Sequence, residues 1–293
     1  MYNIKKKGVK WGTCSFFINR PHPKHRRVRT ATDEKVKEDI RLFFQNPNHW
    51  AYQYGSPTPE CNPNSPYHKI QVEVLLEDKY FHWVTNRAVD ELIAEGFLKS
   101  KKEGTAHFVY RSDIRYIQRE INKRTKIIRR YSDPTITRAV GEYAEMLVSY
   151  AFQLNGFKVV GENTNEYRGL RWERTKHDLD FIVEKDSIAY GVEVKNTLSY
   201  MEEDEFEAKL NMCRSLGLVP LWILRNAPST QFERMKPYNG FILKFKAQIY
   251  PPGQGPLVRD IWEKMRLPAS IWKKVPEKLM YLLLKQHERR ILK

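Results

Sequence analysis

Between positions 177 and 196 the chain gathers residue types that suit metal-assisted chemistry on a phosphate. The segment HDLDFIVEKDSIAYGVEVKN carries Asp180 on one apolar run and Glu193 and Lys195 on the next. In a strand, alternate side chains share a face. That alternation predicts Leu179, Phe181 and Val183 on one face, with Asp178, Asp180 and Ile182 on the other. In the second run Val192 and Val194 share a face, and Gly191, Glu193 and Lys195 share the opposite one. A hairpin across Glu184 to Ala189 sets Asp180 roughly opposite Glu193, so that two carboxylates and an ammonium meet at one point. Mg²⁺ commonly takes one or two carboxylates with waters and substrate phosphate. A nearby lysine stabilises developing phosphate charge or activates the attacking water. A surface cluster of salt bridges is the plainer reading of the same residues.

The surrounding elements must position these groups. From Arg138 to Asn155, Val140, Ala144, Leu147, Val148, Ala151 and Leu154 recur at helical spacing, and Asn155-Gly156 supplies a stop. Phe157 to Val160 reads as a short strand, followed by a polar, Arg-rich loop from Thr164 to Lys176. After the two motif strands, Glu202 to Leu216 reads as a helix. Leu218 to Leu224 is an almost wholly apolar run, as expected of a strand buried on both faces. Phe241 to Ile249 alternates, with Phe241, Leu243, Phe245, Ala247 and Ile249 on one face. The order is helix, three strands, helix, strand, and one further strand.

With Asp180 followed by Glu193-Val194-Lys195, this order resembles the restriction-endonuclease-like nuclease superfamily and its Asp…(Asp/Glu)-x-Lys signature. GEYAEMLVSYAFQLNGF also resembles the G-x-x-x-E…G-F/Y segment of archaeal Holliday-junction resolvases and Mrr-type restriction enzymes. His177-Asp178-Leu179-Asp180 is similar to the Asn-Glu-Leu/Ile-Asp form of the metal motif. The resemblance covers about residues 138 to 250. It implies an α/β, restriction-endonuclease-like core, a mixed sheet flanked by helices, that hydrolyses DNA phosphodiester bonds with Mg²⁺, for which Mn²⁺ substitutes. In that reading Asp180, Glu193 and the Val194 carbonyl ligate the metal. Glu145, at the edge of the apolar stripe, holds a second metal or a water, with Glu142 as the alternative. Lys195 positions or activates the water.

Charge is distributed in keeping with this reading. The chain has 51 Lys and Arg against 35 Asp and Glu, a formal +16. Residues 138 to 250 hold 15 basic and 16 acidic residues, whereas residues 1 to 137 carry 26 against 15 and residues 251 to 293 carry 10 against 4. A neutral core with basic flanks suits a polyanion-binding surface built around clustered carboxylates. A generally basic soluble protein is the alternative.

A second unit precedes the core. Thr85 is placed to cap a helix whose buried stripe is Ala88, Val89, Leu92 and Ile93, ended by Gly96. Phe97 to Lys101, a Lys102-Glu103-Gly104 turn and Thr105 to Arg111 then read as a hairpin. Together with Tyr67 to Glu77, residues 33 to 112 resemble a mainly α winged helix-turn-helix domain. That resemblance implies DNA as partner, with Asn86, Arg87 and Asp90 facing bases and Lys99, Lys101, Lys102 and His107 along the wing. A protein–protein module is the alternative. Arg111, Arg115 and Arg119, beside Ile114, Ile117, Ile121 and Ile128, predict a basic linker helix over 113–137.

The remaining features bound the reading. Residues 1 to 32 hold nine Lys or Arg and no acid, with Tyr2, Trp11, Phe16 and Phe17 interleaved, and read as a basic arm. Asn46 to Pro66 reads as a long loop. After Pro251-Pro252-Gly253 comes a basic helical extension over 251–293, whose Ile261, Met265, Trp272, Met280, Leu283 and Leu284 must bury against the core or the partner of an expected homodimer. Cys14, Cys61 and Cys213 suggest a reducing, cytoplasmic compartment, and Cys14 with His22 and His25 lacks a fourth zinc ligand. No run approaches the ~18 apolar residues of a membrane span, and no glycine-rich phosphate loop supports an ATP-driven role. Arg225, at a strand end, is expected to touch DNA. Glu202 to Glu207 reads as an exposed helix start, Lys209 and Asn196 as possible substrate contacts, and His177 as a loop-end histidine with an ordinary hydrogen bond.

Overall fold

The hairpin that carries the motif is closed by the two-residue turn Asp186-Ser187, both residues in the left-handed region at φ 47° and 64°, as a tight hairpin turn requires. In the computed structural model, which describes residues 34–46 and 62–291, this turn joins β7 (Leu179–Lys185) to β8 (Ile188–Lys195). Turn length fixes register, and pairs from Lys185↔Ile188 to Phe181↔Val192 follow from it. Carried one residue further, the register sets Asp180 against Glu193. The basic arm, Cys14, His22, His25, Cys61 and most of the long loop lie outside the described residues.

Around this hairpin, α5 (Pro134–Leu154), β4 (Lys158–Thr164), α6 (Glu203–Leu216), β9 (Val219–Leu224), α7 (Ser229–Met235) and β10 (Phe241–Lys244) complete the core. Asp133 caps α5 by accepting from the Thr135 N–H, with Pro134 in the first turn. The five strands lie in the order β10-β9-β8-β7-β4. The β10–β9 and β9–β8 pairs are parallel, and β8–β7 and β7–β4 are antiparallel. The chain is therefore α/β with a mixed sheet. One face packs Ala144, Leu147, Val148, Ala151 and Phe152 of α5, with Leu279 and Leu283 of α9 (Glu277–Ile291), on Phe181, Val183 and Val192. The other packs Phe206, Leu210, Cys213 and Leu216 of α6 on Ile182, Trp222 and Leu224. Gly191 allows α6 to come this close, because a Cβ there would lie 2.5 Å from the Cys213 Sγ.

Several expectations are corrected. Phe152, not Leu154, completes the buried stripe of α5, and Leu154 is exposed. Leu179 packs on the α6 face with Ile182 rather than with Phe181 and Val183. Alternation fails there because the β7–β8 ladder ends at Phe181↔Val192, and the strands part at Asp180. The expected strand from Phe241 to Ile249 is two: Lys246, at φ 64°, breaks it. β11 (Gln248–Tyr250) then pairs with β12 (Ala269–Ile271) in a separate two-stranded sheet. The Arg-rich loop contains the small hairpin β5 (Glu166–Tyr167) and β6 (Leu170–Arg171).

Upstream lie α1 (Glu34–Gln45), β1 (Tyr67–His68), α2 (Lys69–Leu76), α3 (His82–Ala94), β2 (Leu98–Glu103) and β3 (Ala106–Arg111), with strand order β1-β3-β2 and a separate apolar core. Helix α3 starts at His82 behind Phe81, so Thr85 is not its cap but a buried residue of its inner face. The linker helix α4 spans Gln118–Tyr131. Arg111 therefore ends β3, where it pairs with Asp113, and Arg115 precedes the helix. A further cluster joins Val74, Phe108, Ile121 and Ile128 to Val140, Tyr250 and the Leu257, Ile261 and Met265 of α8 (Gly255–Asp260) and its π-helical continuation (Ile261–Met265). Thus Ile261, Met265 and Leu283 are buried, and Trp272, Met280 and Leu284 pack on the core.

The strongest tie between the upstream elements and the core is Arg225, 1% exposed. It donates to both Glu77 oxygens at 2.6 and 2.7 Å and to the carbonyls of Thr197 (2.9 Å) and Leu198 (2.7 Å). Its expected contact with DNA is therefore overturned, because the guanidinium is consumed inside the protein. Breaking one partner of a buried pair leaves an uncompensated charge. Glu77→Gln is expected to destabilise the chain by about 3 kcal/mol or more in urea unfolding, whereas Glu77→Leu combined with Arg225→Met loses much less. Equal losses from the single and double changes would contradict this role.

Candidate functional site

Where β7 and β8 part, a carboxylate replaces the backbone as acceptor: the Val194 N–H donates to Asp180 Oδ2 at 2.6 Å. This fixes one Asp180 oxygen at the mouth of the split. Glu193, one residue along, points to the α6 face and is 2% exposed. Glu145 arrives from α5, half-buried. Burial raises its pKa first, followed by the Asp180 charge and then Glu142. Glu142 is exposed.

Burial raises all three carboxylates, and the Asp180 charge adds to it at Glu145 and Glu193. Burial raises Asp180 despite Lys209 and the Val194 N–H. Burial and the Asp180 charge push Glu193 up to about 8 against the opposing effect of Lys209. Lys209 is buried and donates to Glu193 Oε2, with Glu205 at 3.7 Å. Its own burial works against its charge, but Glu193, Asp180 and Glu205 together raise its pKa. For this coupled pair both shifts are upward: the glutamate resists ionising where it is dry, and the ammonium holds its proton among acids.

Lys195 sits at the exposed end of the same chain of charges. Its Nζ donates to both oxygens of Glu205, at 2.7 and 2.8 Å. The sequence thus runs Lys195–Glu205–Lys209–Glu193 across the gap between β8 and α6. Glu205 is the member of this cluster that sequence reasoning missed, and Lys209, read there as a substrate contact, is instead held between Glu193 and Glu205. Glu205 is not part of the exposed helix start: it is half-buried, unlike exposed Glu202, Glu203 and Asp204. The signal was available in Lys209. It lies within the apolar stripe of Phe206, Leu210 and Cys213, and a charge in such a stripe needs a buried partner.

Asn196 is corrected from substrate contact to structural brace. It is buried, and its amide donates to the carbonyls of Val140 (2.9 Å) and Ile249 (2.7 Å) while accepting from the Ile249 N–H at 2.8 Å. This pins the end of β8 to the helix that carries Glu145. His177 makes an ordinary contact with the Thr175 hydroxyl at 3.0 Å.

The donor set suits a hard divalent cation in kind and in charge. Asp180, Glu193, Glu145 and the Val194 carbonyl offer oxygen, and a cation would offset the burial that raises all three acids. Spacing is a different matter. Among the described residues, no group of three or more His, Cys, Asp or Glu is arranged to hold a metal ion. Lys209 already supplies a positive charge to Glu193.

The upstream candidates are dispersed over α3 and the β2–β3 hairpin. The Arg87 guanidinium lies over the Trp83 ring at 5.4 Å, and Trp83 is half-exposed. The Asn86 carbonyl oxygen is buried without a hydrogen-bond partner. Asp90 is paired with Lys69 at 2.6 Å. Lys99, Lys101 and Lys102 are exposed on β2, with Lys101 donating to Gln118 and Lys102 opposite His107. Among the described residues, no helix is long and apolar enough to cross a membrane. No protein-family model matches the chain, and no curated protein matches it.

The raised acids set a pH dependence. A group whose folded pKa exceeds its unfolded one stabilises fully below the unfolded value and loses that contribution as pH rises through the folded value. For Glu193 the window runs from the ordinary 4.5 to about 8. Metal-free protein is expected to lose melting temperature from pH 5.5 to 8.5 more steeply than Glu193→Gln, which leaves Lys209 with Glu205 and Asp180. At about 2–4 °C per kcal/mol for chains of this size, the difference is readable by thermal scanning at constant ionic strength. Parallel slopes for the two proteins would contradict the assignment.

Proposed function

We propose that this protein is a metal-dependent DNA endonuclease with a restriction-endonuclease-like core and an upstream winged helix-turn-helix module. One observation carries the reading: Asp180 and Glu193 lie on adjacent strands where the two part, both largely held from solvent, with Glu145 of α5 near enough to feel the Asp180 charge and Lys195 paired to Glu205 beside them. A purely structural surface does not require this, since buried carboxylates that repel cost stability. The order helix, three antiparallel strands, helix and parallel strand adds support, as does the arrangement of α1, β1, α2, α3 and a hairpin upstream.

In this reading Asp180, Glu193, the Val194 carbonyl and Glu145 hold Mg²⁺, or Mn²⁺ in its place. The bound ion would stabilise charge on the phosphoryl oxygens and lower the pKa of water. The chain's own residues do the rest. Asp180 keeps one oxygen locked on the Val194 N–H and offers the other. Glu193, paired with Lys209 in the absence of an ion, would turn its carboxylate to the metal. Lys195, released from Glu205, orients the attacking water or the scissile phosphate, and Lys209 keeps α6 seated on the acids. Asn86, Arg87, Lys99, Lys101 and Lys102 contact the duplex, and a homodimer would present two such sites.

A second reading is favoured by the chain Lys195–Glu205–Lys209–Glu193, which compensates the acids internally: a DNA-binding protein that uses this core for assembly alone. Cleavage separates the two. Full-length protein is incubated with duplex, single-stranded and branched DNA, with and without Mg²⁺ or Mn²⁺. The nuclease reading expects metal-dependent cuts that fall by about 10²-fold or more in Asp180→Asn and Lys195→Ala, with DNA binding retained. It also expects loss of Glu145 to harm cleavage more than loss of Glu142. Binding without cleavage on every substrate, or wild-type cleavage by Asp180→Asn, would leave the assembly reading.

A further inference from the structure

A cavity far along the chain from the acidic cluster has the opposite character. Some 330 Å³ in volume, it lies where α2, α4 and the segment after α8 meet, and Gln71, Lys123, Arg124 and Arg266 line it. Arg266 is 4% exposed. Its Nη1 is buried without a hydrogen-bond partner, and its side chain forms no ion pair among the described residues. A guanidinium keeps its charge under all ordinary conditions, so a buried one without an anion is costly. Gln71, fully buried, presents a second orphan donor: its Oε1 accepts from the His68 N–H at 3.3 Å, but its Nε2 has no partner.

The rest of the lining leaves this demand unmet. Glu120 is paired with Lys123 at 2.6 Å, and Lys264 with Asp260 at 2.7 Å. Glu263, the lining carboxylate outside any ion pair among the described residues, is exposed. Arg124 adds a second guanidinium, held over the Tyr67 ring at 5.4 Å. Among the described lining residues, Arg266 and Gln71 each keep a buried donor without a partner.

We infer that this cavity is a binding site for a small phosphate-bearing anion of mononucleotide size, held by Arg266 and Gln71 with Arg124 and Lys123 at its side. A forked guanidinium matches phosphate oxygens. Donors on three separate elements suit the several oxygens of a phosphate better than the two of a carboxylate. The depth of Gln71 and Arg266 disfavours a duplex backbone, which cannot push one phosphate into a cavity without the strand following. The volume lies at the lower end of small-ligand sites, enough for a phosphate with a nucleoside attached. The ligand would tie α2 and α4 to the segment after α8, whether or not the acidic cluster cleaves DNA.

The test uses full-length protein in EDTA, titrated with inorganic phosphate, adenosine monophosphate and a 5′-phosphorylated dinucleotide by calorimetry and thermal scanning. Saturable one-to-one binding with a rise in melting temperature is expected from at least one probe. Phosphate alone sufficing would identify the phosphate as the recognised group, and tighter nucleotide binding would add the nucleoside. Arg266→Gln and Gln71→Leu should each weaken binding by about tenfold or more, while Asp180→Asn binds as wild type. Gln71→Leu keeps the proposal open to refutation should Arg266→Gln fold poorly. No saturation through the millimolar range, unchanged affinity in both variants, or binding lost only in Asp180→Asn would overturn it. So would full displacement of the probe by unphosphorylated duplex DNA.

Discussion

Burial of Asp180 and Glu193 beside each other, away from the water that would share their charge, is the constraint around which this part of the core is arranged. The hairpin turn at Asp186-Ser187 fixes a register that runs to Phe181 opposite Val192, and Asp180 and Glu193 follow where the strands part. At short range and low effective dielectric, two such charges interact far more strongly than in water. The fold answers with Lys209 on Glu193 and Glu205 between Lys209 and Lys195. Each needs α6 close to β8, and that closeness rests on Gly191 beneath Cys213. Asn196 then holds the strand end against α5, so that Glu145 cannot drift away.

The same strand end is where the upstream elements are fastened. Arg225 takes the carbonyls of Thr197 and Leu198, just beyond Lys195, and both oxygens of Glu77 at the end of α2. A buried ion pair is weak evidence of net stability but strong evidence of geometric specification, because removing one partner is so costly. Movement of α2 is thereby linked mechanically to the segment that follows the acidic cluster. At the far end of the hairpin, His287 of α9 contacts Tyr190 at 2.8 Å and Asp186 at 2.9 Å, so the turn that sets the register is itself held.

How much of this was legible in the sequence depends on which force governs each element. The order of the core was legible because α5, β9 and the motif strands carry strong apolar periodicity, and the pairing of the motif strands as far as Phe181 opposite Val192 followed from the hairpin. Leu179 was misplaced because alternation assumes an unbroken ladder, and the ladder stops at Phe181. Lys246 interrupts a well-alternating run through a left-handed backbone that residue type does not announce. Arg225 and Asn196 read as ligand contacts from spacing alone, because polar residues at strand ends often are. Their true partners, Glu77 and the Val140 and Ile249 carbonyls, are 148, 56 and 53 residues away in the chain. Contacts of that range are invisible to local spacing. Lys209 reads as a substrate contact by spacing, although its place in a buried stripe already implied an acid beside it.

The central claim is that the acids around Asp180 form a cation site which Lys209 compensates until the ion arrives. Anomalous diffraction from crystals soaked in Mn²⁺ near pH 8 tests it most directly. The account predicts a peak touching Asp180, Glu193 and the Val194 carbonyl, with the Lys209 ammonium withdrawn from Glu193. A cluster without manganese, with Lys209 still seated on Glu193 while the metal binds elsewhere or nowhere, would contradict it.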